Sequence, residues 1–484
     1  MASNTVINRE LTDLLHTFTN NPFDFSVCSR IGSIYLNTGK YSLARAYYQK
    51  ANDLKPQSPE IISQLKQIEA ALQGASSSLD KTISPGVKPS PELFYYSSEQ
   101  TVLFIGDHLY PAIGGAERSA LTILQEFIND GHRCFAVCSG NGSGCVYKGI
   151  NIRYFSNPDA IESVILQIKP TLIITQLNWA YNGIALAKKH HIPSVLFVRS
   201  YEYFCWTYTQ FDLCDRKCSE CKFHPVNRTL RDKFRNMFDD ADEIVCNSEF
   251  MRNVTKEFYG RDSKVVYPTI NFKDYRTEDN TRTFIVMNQP EAHKGSSLFY
   301  DIARRMSAHR FMTVGRGEKE SVKNCIFYGQ TDPLLFFSHT KLLLVPSMWP
   351  EPFGRISVEA MLNGIPVIAS ECGGLPEVIG DAGILIKDYR NADEWVTQIR
   401  RITEDKDLYD HLSNLSRTRS EMFGSVIQMK KLHPIIDSVL EIRNDSSDRR
   451  ILDFYNKQYG RVETFSFLMN HRRERLEGLC NMVP

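Results

Sequence analysis

Residues 342–386 read LLLVPSMWPEPFGRISVEAMLNGIPVIASECGGLPEVIGDAGILI, and the rest of the chain is best understood outward from this stretch. Leu342 to Val345 is a short apolar run of the kind buried in a parallel sheet. A Pro-Ser-Met-Trp-Pro loop follows, and the pattern then predicts a helix from about Phe353 to Leu362, stopped by Asn363-Gly364. A second strand is expected over Pro366 to Ala369, leading into a Gly373-Gly374 turn that opens another helix. Strand, helix and strand at this spacing make a βαβ unit, whose ligand edge is the carboxyl end of the strands.

Two carboxylates frame the unit. Glu351 stands in the loop before the helix, and Glu359 stands eight positions later, on it. A rise of roughly 1.5 Å per helical residue separates them by about 12 Å. Two groups flanking one glycosidic bond lie closer, at about 5–9.5 Å. The spacing suits the two ends of an elongated ligand, with the amides of Phe353 and Gly354 near its middle, where a helix N-terminus favours an anion such as a diphosphate. The ligand implied is a sugar–diphosphate–nucleoside.

At these residues the chain resembles glycosyltransferase family 4. The resemblance is carried by Glu351 and Glu359, Phe353-Gly354, Glu359-Ala360-Met361, Gly364-Ile365-Pro366-Val367 and Gly373-Gly374-Leu375-Pro376-Glu377. It implies an α/β protein of the GT-B fold, with two Rossmann-like domains facing a cleft, and a retaining reaction. It further implies that Glu359 holds the nucleoside ribose, that Glu351 and nearby amides hold the sugar hydroxyls, and that Lys294, in His293-Lys294-Gly295, stabilises the departing diphosphate. No catalytic metal or other cofactor is required in that scheme, because a lysine and helix amides take the metal's place; the donor would be a UDP- or GDP-sugar.

The chain departs from the family at two places. An arginine usual about six residues before the lysine is replaced by Asn288, for which Arg316, in Val314-Gly315-Arg316-Gly317, is the candidate substitute. Where many members carry an acceptor-facing histidine, this chain has TQLNWAYNG, so Gln176 and Asn178 become the acceptor-side candidates.

Composition sets the frame. A chain of 484 residues exceeds one core and suggests two or three domains. A net charge of +1 leaves no basic footprint for nucleic acid. No apolar run reaches eighteen residues, and the N-terminus has neither a basic nor an apolar signal region, so the expectation is a cytoplasmic protein without a transmembrane segment. Of the twelve cysteines, Cys134, Cys138 and Cys246 fall on strand-like segments where a reduced, buried thiol is usual.

Taken in order, residues 1–73 form a small all-α segment, in which Ile31, Gly32, Tyr35, Ala44, Tyr48, Ala51 and Pro56 match one tetratricopeptide-like repeat over 25–58. One repeat buries too little to stand alone. Its exposed face is expected to dock on the first Rossmann domain or, by preference, on another chain, as self-association or as a protein partner that delivers the acceptor. Residues 74–98 are rich in Ser, Pro and Gly and read as a linker. A first, acceptor domain is expected over 99–271, with Gly114-Gly115 placed after its first strand to let backbone approach the donor phosphate. A second, donor domain is expected over 272–422, and residues 423–484 hold a helix that, by resemblance, returns to the first domain, followed by an extension.

Three further groups are open to competing readings. Cys205, Cys214, Cys218 and Cys221 have spacing for a structural zinc, a redox-sensitive disulfide or free thiols. The aromatics among Tyr201 to Phe211, Tyr203 and Trp206 included, could wall an acceptor pocket or pack a core. Arg228, Arg231 and Arg235 line one helix face, solvated or facing an anionic membrane surface or phosphorylated acceptor. Asp240-Ala241-Asp242, a metal-signature look-alike, reads as a solvated turn. The alternative to a transferase is a glycosyltransferase-like scaffold or binding module acting through its N-terminal helices.

Overall fold

The computed structural model describes residues 10–79 (apart from 12, 16, 19, 20 and 22), 99–205 (apart from 113, 141, 143 and 156), 221, 224–277 and 281–441. Two sheets organise it. The first contains β1 (Thr101–Gly106), β2 (Arg133–Ser139), β3 (Cys145–Tyr147), β4 (Ile150–Phe155), β5 (Leu172–Gln176), β6 (Ser194–Val198), β7 (Glu243–Cys246) and β8 (Lys264–Val265). Their order is β3-β4-β2-β1-β5-β6-β7-β8, and only the β3–β4 pair is antiparallel. The second contains β9 (Phe284–Asn288), β10 (Phe311–Val314), β11 (Cys325–Gly329), β12 (Thr340–Val345), β13 (Val367–Ser370) and β14 (Ile384–Ile386), in the order β11-β10-β9-β12-β13-β14.

Both sheets bury both faces under helices, which is why their strands are continuous apolar runs such as Val102–Ile105 and Leu342–Val345. In each sheet the strand order reverses at the first strand, between β1 and β5 and between β9 and β12. Such switch points open a crevice at the carboxyl ends of the strands. Gly114-Gly115 follows β1, His293-Lys294 follows β9 and Glu351 follows β12, so the chain order alone delivers these residues to the two crevices.

The strand, helix and strand expected around Glu351 are present as β12, a helix over Arg355–Leu362 and β13. Asn363 caps the helix and Gly364 takes the left-handed conformation, at φ +62°. A helix over residues 425–441 then leaves the second domain and buries Met429, Leu432, Ile436 and Val439 against Phe104 and Phe127 of the first.

The N-terminal helices, Phe25–Asn37, Tyr41–Leu54 and Pro59–Leu79, correct one expectation. They dock neither on the first Rossmann domain nor, through this face, on another chain, but on the second domain. Tyr47 Oη lies 3.2 Å from His339 Nε2, and Lys50 donates to the Tyr328 carbonyl at 3.2 Å while its ammonium sits 4.0 Å over the Tyr328 ring. Phe18 packs on Tyr47 and His339, with ring centroids 5.2 and 5.1 Å away. Leu334, Phe336 and Phe337, on the helix Pro333–His339, complete one core with Leu43, Ala44 and Ala51. The apolar surface that one repeat leaves uncovered therefore finds its partner in the same chain, through Tyr328 and the Phe336-Phe337 pair. Within the repeat, a methyl at Gly32 would stand 3.1 Å from the Tyr48 ring, so the small residue permits the helix approach.

Asp240-Ala241-Asp242 is also more than a solvated turn. Asp242 accepts from the Ser194 amide at 2.9 Å and Asp240 pairs with Lys188 at 2.5 Å, fixing the starts of β6 and β7.

Candidate active site

The loops after β9 and β12 are tied together. The amides of Met348 and Trp349 both donate to the His293 carbonyl, at 2.9 and 3.1 Å. Gly295 adopts φ +83° against the Pro346 carbonyl, a close approach that a side chain would block. This docking brings Lys294 Nζ to 4.0 Å from Glu351 Oε1 and 3.0 Å from Gln289 Oε1. Ser347 Oγ donates to the same Glu351 oxygen at 3.3 Å. Gly373-Gly374 packs under the Glu351 backbone, and the Gly374 amide donates to its carbonyl at 2.7 Å. Burial and the neighbouring Lys294 hold His293 neutral, its imidazole lowered to about 4.

Glu359 is buried and engaged. Arg355 Nε reaches it at 2.7 Å, while the same guanidinium donates to Ser119 Oγ and the Thr269 carbonyl, both at 3.0 Å, and to Tyr275 Oη at 3.2 Å. Burial raises the Glu359 carboxyl and Arg355 partly offsets it. Arg355 was not singled out in the sequence, yet it joins the ends of the site: its Cδ lies 3.4 Å from where a Gly115 methyl would be, across the cleft. A cavity of about 660 Å³ adjoins Arg355, with Arg118, Tyr147, Phe272 and Tyr275 among its walls, and neither Lys294 nor Glu351 lines it.

The first-domain wall carries Gln176 at the end of β5, Arg199 after β6 and Asn247 after β7, all buried. Arg199 Nε donates to Gln176 Oε1 at 3.2 Å, and Asn247 Nδ2 to the Arg199 carbonyl at 2.8 Å. Gln176 Nε2, Arg199 Nη2, Glu202 Oε2 and Asn247 Oδ1 are buried without a hydrogen-bond partner. Asn178 is held by Asp107 through its amide and Nδ2, at 3.0 and 3.1 Å. Leu177, between the two acceptor-side candidates, and Gln289, beside Lys294, both take positive φ, at +57° and +51°. Such strain in non-glycine residues persists where surrounding structure enforces it, often at functional sites.

Family models and solved structures place this architecture. A model described as "Glycosyltransferase Family 4" matches residues 113–273, one described as "Glycosyl transferases group 1" matches residues 269–419, and a tetratricopeptide model matches residues 25–58. Together the two glycosyltransferase models match residues 113–419, and the architecture is that of the GT-B fold. Among curated relatives, spore coat protein SA of Bacillus subtilis is 30% identical over 129 residues, covering 26% of this chain and 34% of that protein. A D-inositol 3-phosphate glycosyltransferase of Streptomyces bingchenggensis is 34% identical over 91 residues, 18% of this chain and 20% of that protein. The chain thus spans about a third or less of the length of these relatives. The fold is shared with sucrose-phosphate synthase from Thermosynechococcus elongatus (TM-score 0.58, 15% identity) and with Anabaena HepE in complex with UDP (TM-score 0.57, 18% identity). Each comparison covers 70% of this chain and all of the other.

Within this fold the remaining sequence candidates separate. Phe353 is buried against Tyr267 and Phe423, so its side chain is part of the core. Asn288 lies beside Gly315, and Arg316 is exposed, with Nε 3.3 Å from Gln330; neither stands in the Lys294–Glu351 constellation, whose added member is Gln289. Tyr203 corrects the reading of a pocket wall: it is fully buried among Phe204, Phe234 and Phe238, with its hydroxyl spent on the Leu177 carbonyl. Tyr201 instead spans the domains, donating to the Pro350 carbonyl at 2.8 Å and packing on Trp349. Trp206, Cys214 and Cys218 lie outside the described residues. No cluster of three metal-ligating side chains occurs among the described residues. On the helix His224–Asp240, Arg228 and Arg235 are exposed while Arg231 covers the Phe258 ring. No described helix is long and apolar enough to cross a membrane.

Proposed function

We propose that this protein is a retaining glycosyltransferase that takes a hexosyl group from a UDP- or GDP-sugar bound between its two domains. The observation that carries the reading is the pairing of Lys294 with Glu351, 4.0 Å apart, in the crevice formed by the ends of β9 and β12. Lys294 neutralises the diphosphate as it leaves, an electrostatic contribution that exists only as charge develops. Glu351, with the amides of Phe353 and Gly354, orients the sugar hydroxyls. Glu359 receives the ribose hydroxyls and shares its carboxylate with Arg355. Gly114-Gly115 lets first-domain backbone approach the diphosphate, and Gln176 and Asn178 face the acceptor side.

With a lysine and backbone amides facing the diphosphate, the reaction runs without a divalent metal, and the protein works in the cytoplasm. Solved relatives of the same fold include HepE with UDP-glucose bound, which supports a nucleotide-sugar donor in this cleft. Nucleotide release from a panel of UDP- and GDP-sugars, with and without chelator, tests the reading. One donor should be turned over with chelator present, and NMR of the product should show a retained anomeric configuration. An inverted product, or activity restored only by magnesium, would reject this mechanism.

A further inference from the structure

Among the paired charges of the cleft, Arg199 stands apart. Lys294 has Glu351 within 4.0 Å and Arg355 has Glu359 at 2.7 Å. Arg199 is 6% exposed, lies over the Phe197 ring at 4.4 Å and spends Nε on the neutral Gln176 amide. Among the described residues no carboxylate forms an ion pair with it, and its Nη2 makes no hydrogen bond. Burial, and next the Arg355 cation, lower its guanidinium to about 9 against a weaker opposing pull from Glu117, so that it remains cationic near neutral pH. A buried charge is normally paired or costs several kcal/mol. The Gln176 amide carried on the same hydrogen bond offers a second unpartnered donor, Nε2.

The position says which anion completes the set. Arg199 ends β6 two residues before Tyr201, which bonds the Pro350 carbonyl, so the segment abuts the loop that carries Ser347 and Glu351 and is tied to His293-Lys294. Arg355, its charged neighbour, opens the helix after Gly354 and faces Gly115.

We propose that Arg199, held by its hydrogen bond to the acceptor-side Gln176, binds the donor's diphosphate from the first-domain side, as the second cation opposite Lys294. The proposal rests on the donor reading above. Domain closure then does two things at once: it brings the anion to an otherwise uncompensated guanidinium and sets Lys294 and Glu351 on the same ligand. Asn288, which offers no charge on the second domain, is compensated from across the cleft.

Calorimetry with UDP and GDP, and with UMP and GMP, tests this on the full chain. Arg199→Gln should weaken the diphosphate that wild type binds by on the order of 10–100-fold, the range for hydrogen bonds to a charged group, and the monophosphate by less than about 3-fold. Arg199→Lys should recover part of the loss. Without nucleotide, Arg199→Gln should melt at or above the wild-type temperature, since it removes an unpaired buried charge; a residue that merely supports the fold would melt lower. Equal diphosphate binding by wild type and Arg199→Gln, or a rise confined to the acceptor KM, overturns the proposal while leaving the donor reading intact. Failure of wild type to bind either diphosphate overturns both.

Discussion

The two walls of the cleft are built on different principles. On the second domain the two cations described at the cleft each have a counter-charge: Lys294 has Glu351, and Arg355 has Glu359. On the first domain Gln176, Arg199, Glu202 and Asn247 each hold a buried polar atom with no partner. The first arrangement is preorganised and stable by itself, the condition under which fixed dipoles and charges lower a barrier. The second is costly until something arrives, because an unsatisfied buried polar group forfeits its hydration. One wall is a finished site and the other is half of one.

That contrast can be broken at its support. Tyr47 packs behind the helix that leads through His339 into β12, the strand ending at the Glu351 loop. Tyr47→Ala should lower stability by roughly 3–5 kcal/mol, the range for emptying a buried aromatic site, read from denaturant unfolding. Truncation after Pro91 should expose Tyr328, Phe336 and Phe337 and give aggregation by light scattering. A truncated protein that stays monomeric and binds donor normally would show that the finished wall needs no backing.

The next test strikes the finished wall itself. Lys294→Ala should remove roughly 2–4 kcal/mol of transition-state stabilisation, seen as a fall in kcat greater than the rise in KM. Glu351→Gln should lower kcat, whereas Glu359→Gln should chiefly raise the donor KM. Wild-type kinetics in all three would remove the contrast's functional meaning.

The unfinished wall has a pH signature. Burial raises the Glu202 carboxyl to about 7, from an ordinary value near 4.5. Between those values the folded protein holds a proton that the unfolded chain releases. The cost of ionising Glu202 is therefore absent below about 4.5, grows as pH rises, and is complete above about 7. Glu202→Gln should match wild type at pH 4.5 and be more stable at pH 8, by roughly 3 kcal/mol at most. Equal stability at both pH values would mean that Glu202 finds a partner in solution. The smallest effect belongs to the contact between the walls: Tyr201→Phe deletes the hydrogen bond to the Pro350 carbonyl and should cost about 0.5–1.5 kcal/mol in kcat/KM.

How much of this could be read beforehand follows the same division. Glu351, Glu359, Lys294 and the glycine pairs sit in one short βαβ unit or just after a strand, where local periodicity and turn chemistry announce the placement. Arg355 lay within the quoted stretch and passed unremarked, because its significance is a contact with Ser119 and Thr269, more than eighty residues away. Gln289 and Leu177 carry their signal in a positive φ that no residue pattern reveals for these side chains. Arg316 illustrates the converse: a cation at a plausible distance along the chain points to Gln330.

The amino-acid sequence by itself determined the two mainly parallel sheets, the switch-point placement of Lys294, Glu351 and Gly114-Gly115, and the helical repeat. Each of these depends on patterns of neighbours a few residues apart, and burial of a continuous apolar run admits few alternatives. Only the tertiary structure decided that the repeat packs on the second domain and that Tyr203 is core while Tyr201 bridges the domains. It alone showed that Arg199 is buried without an ion-paired carboxylate among the described residues. Those outcomes depend on which surfaces meet, and a patch such as Tyr328 with Phe336 and Phe337 is complementary to the repeat only once both are folded.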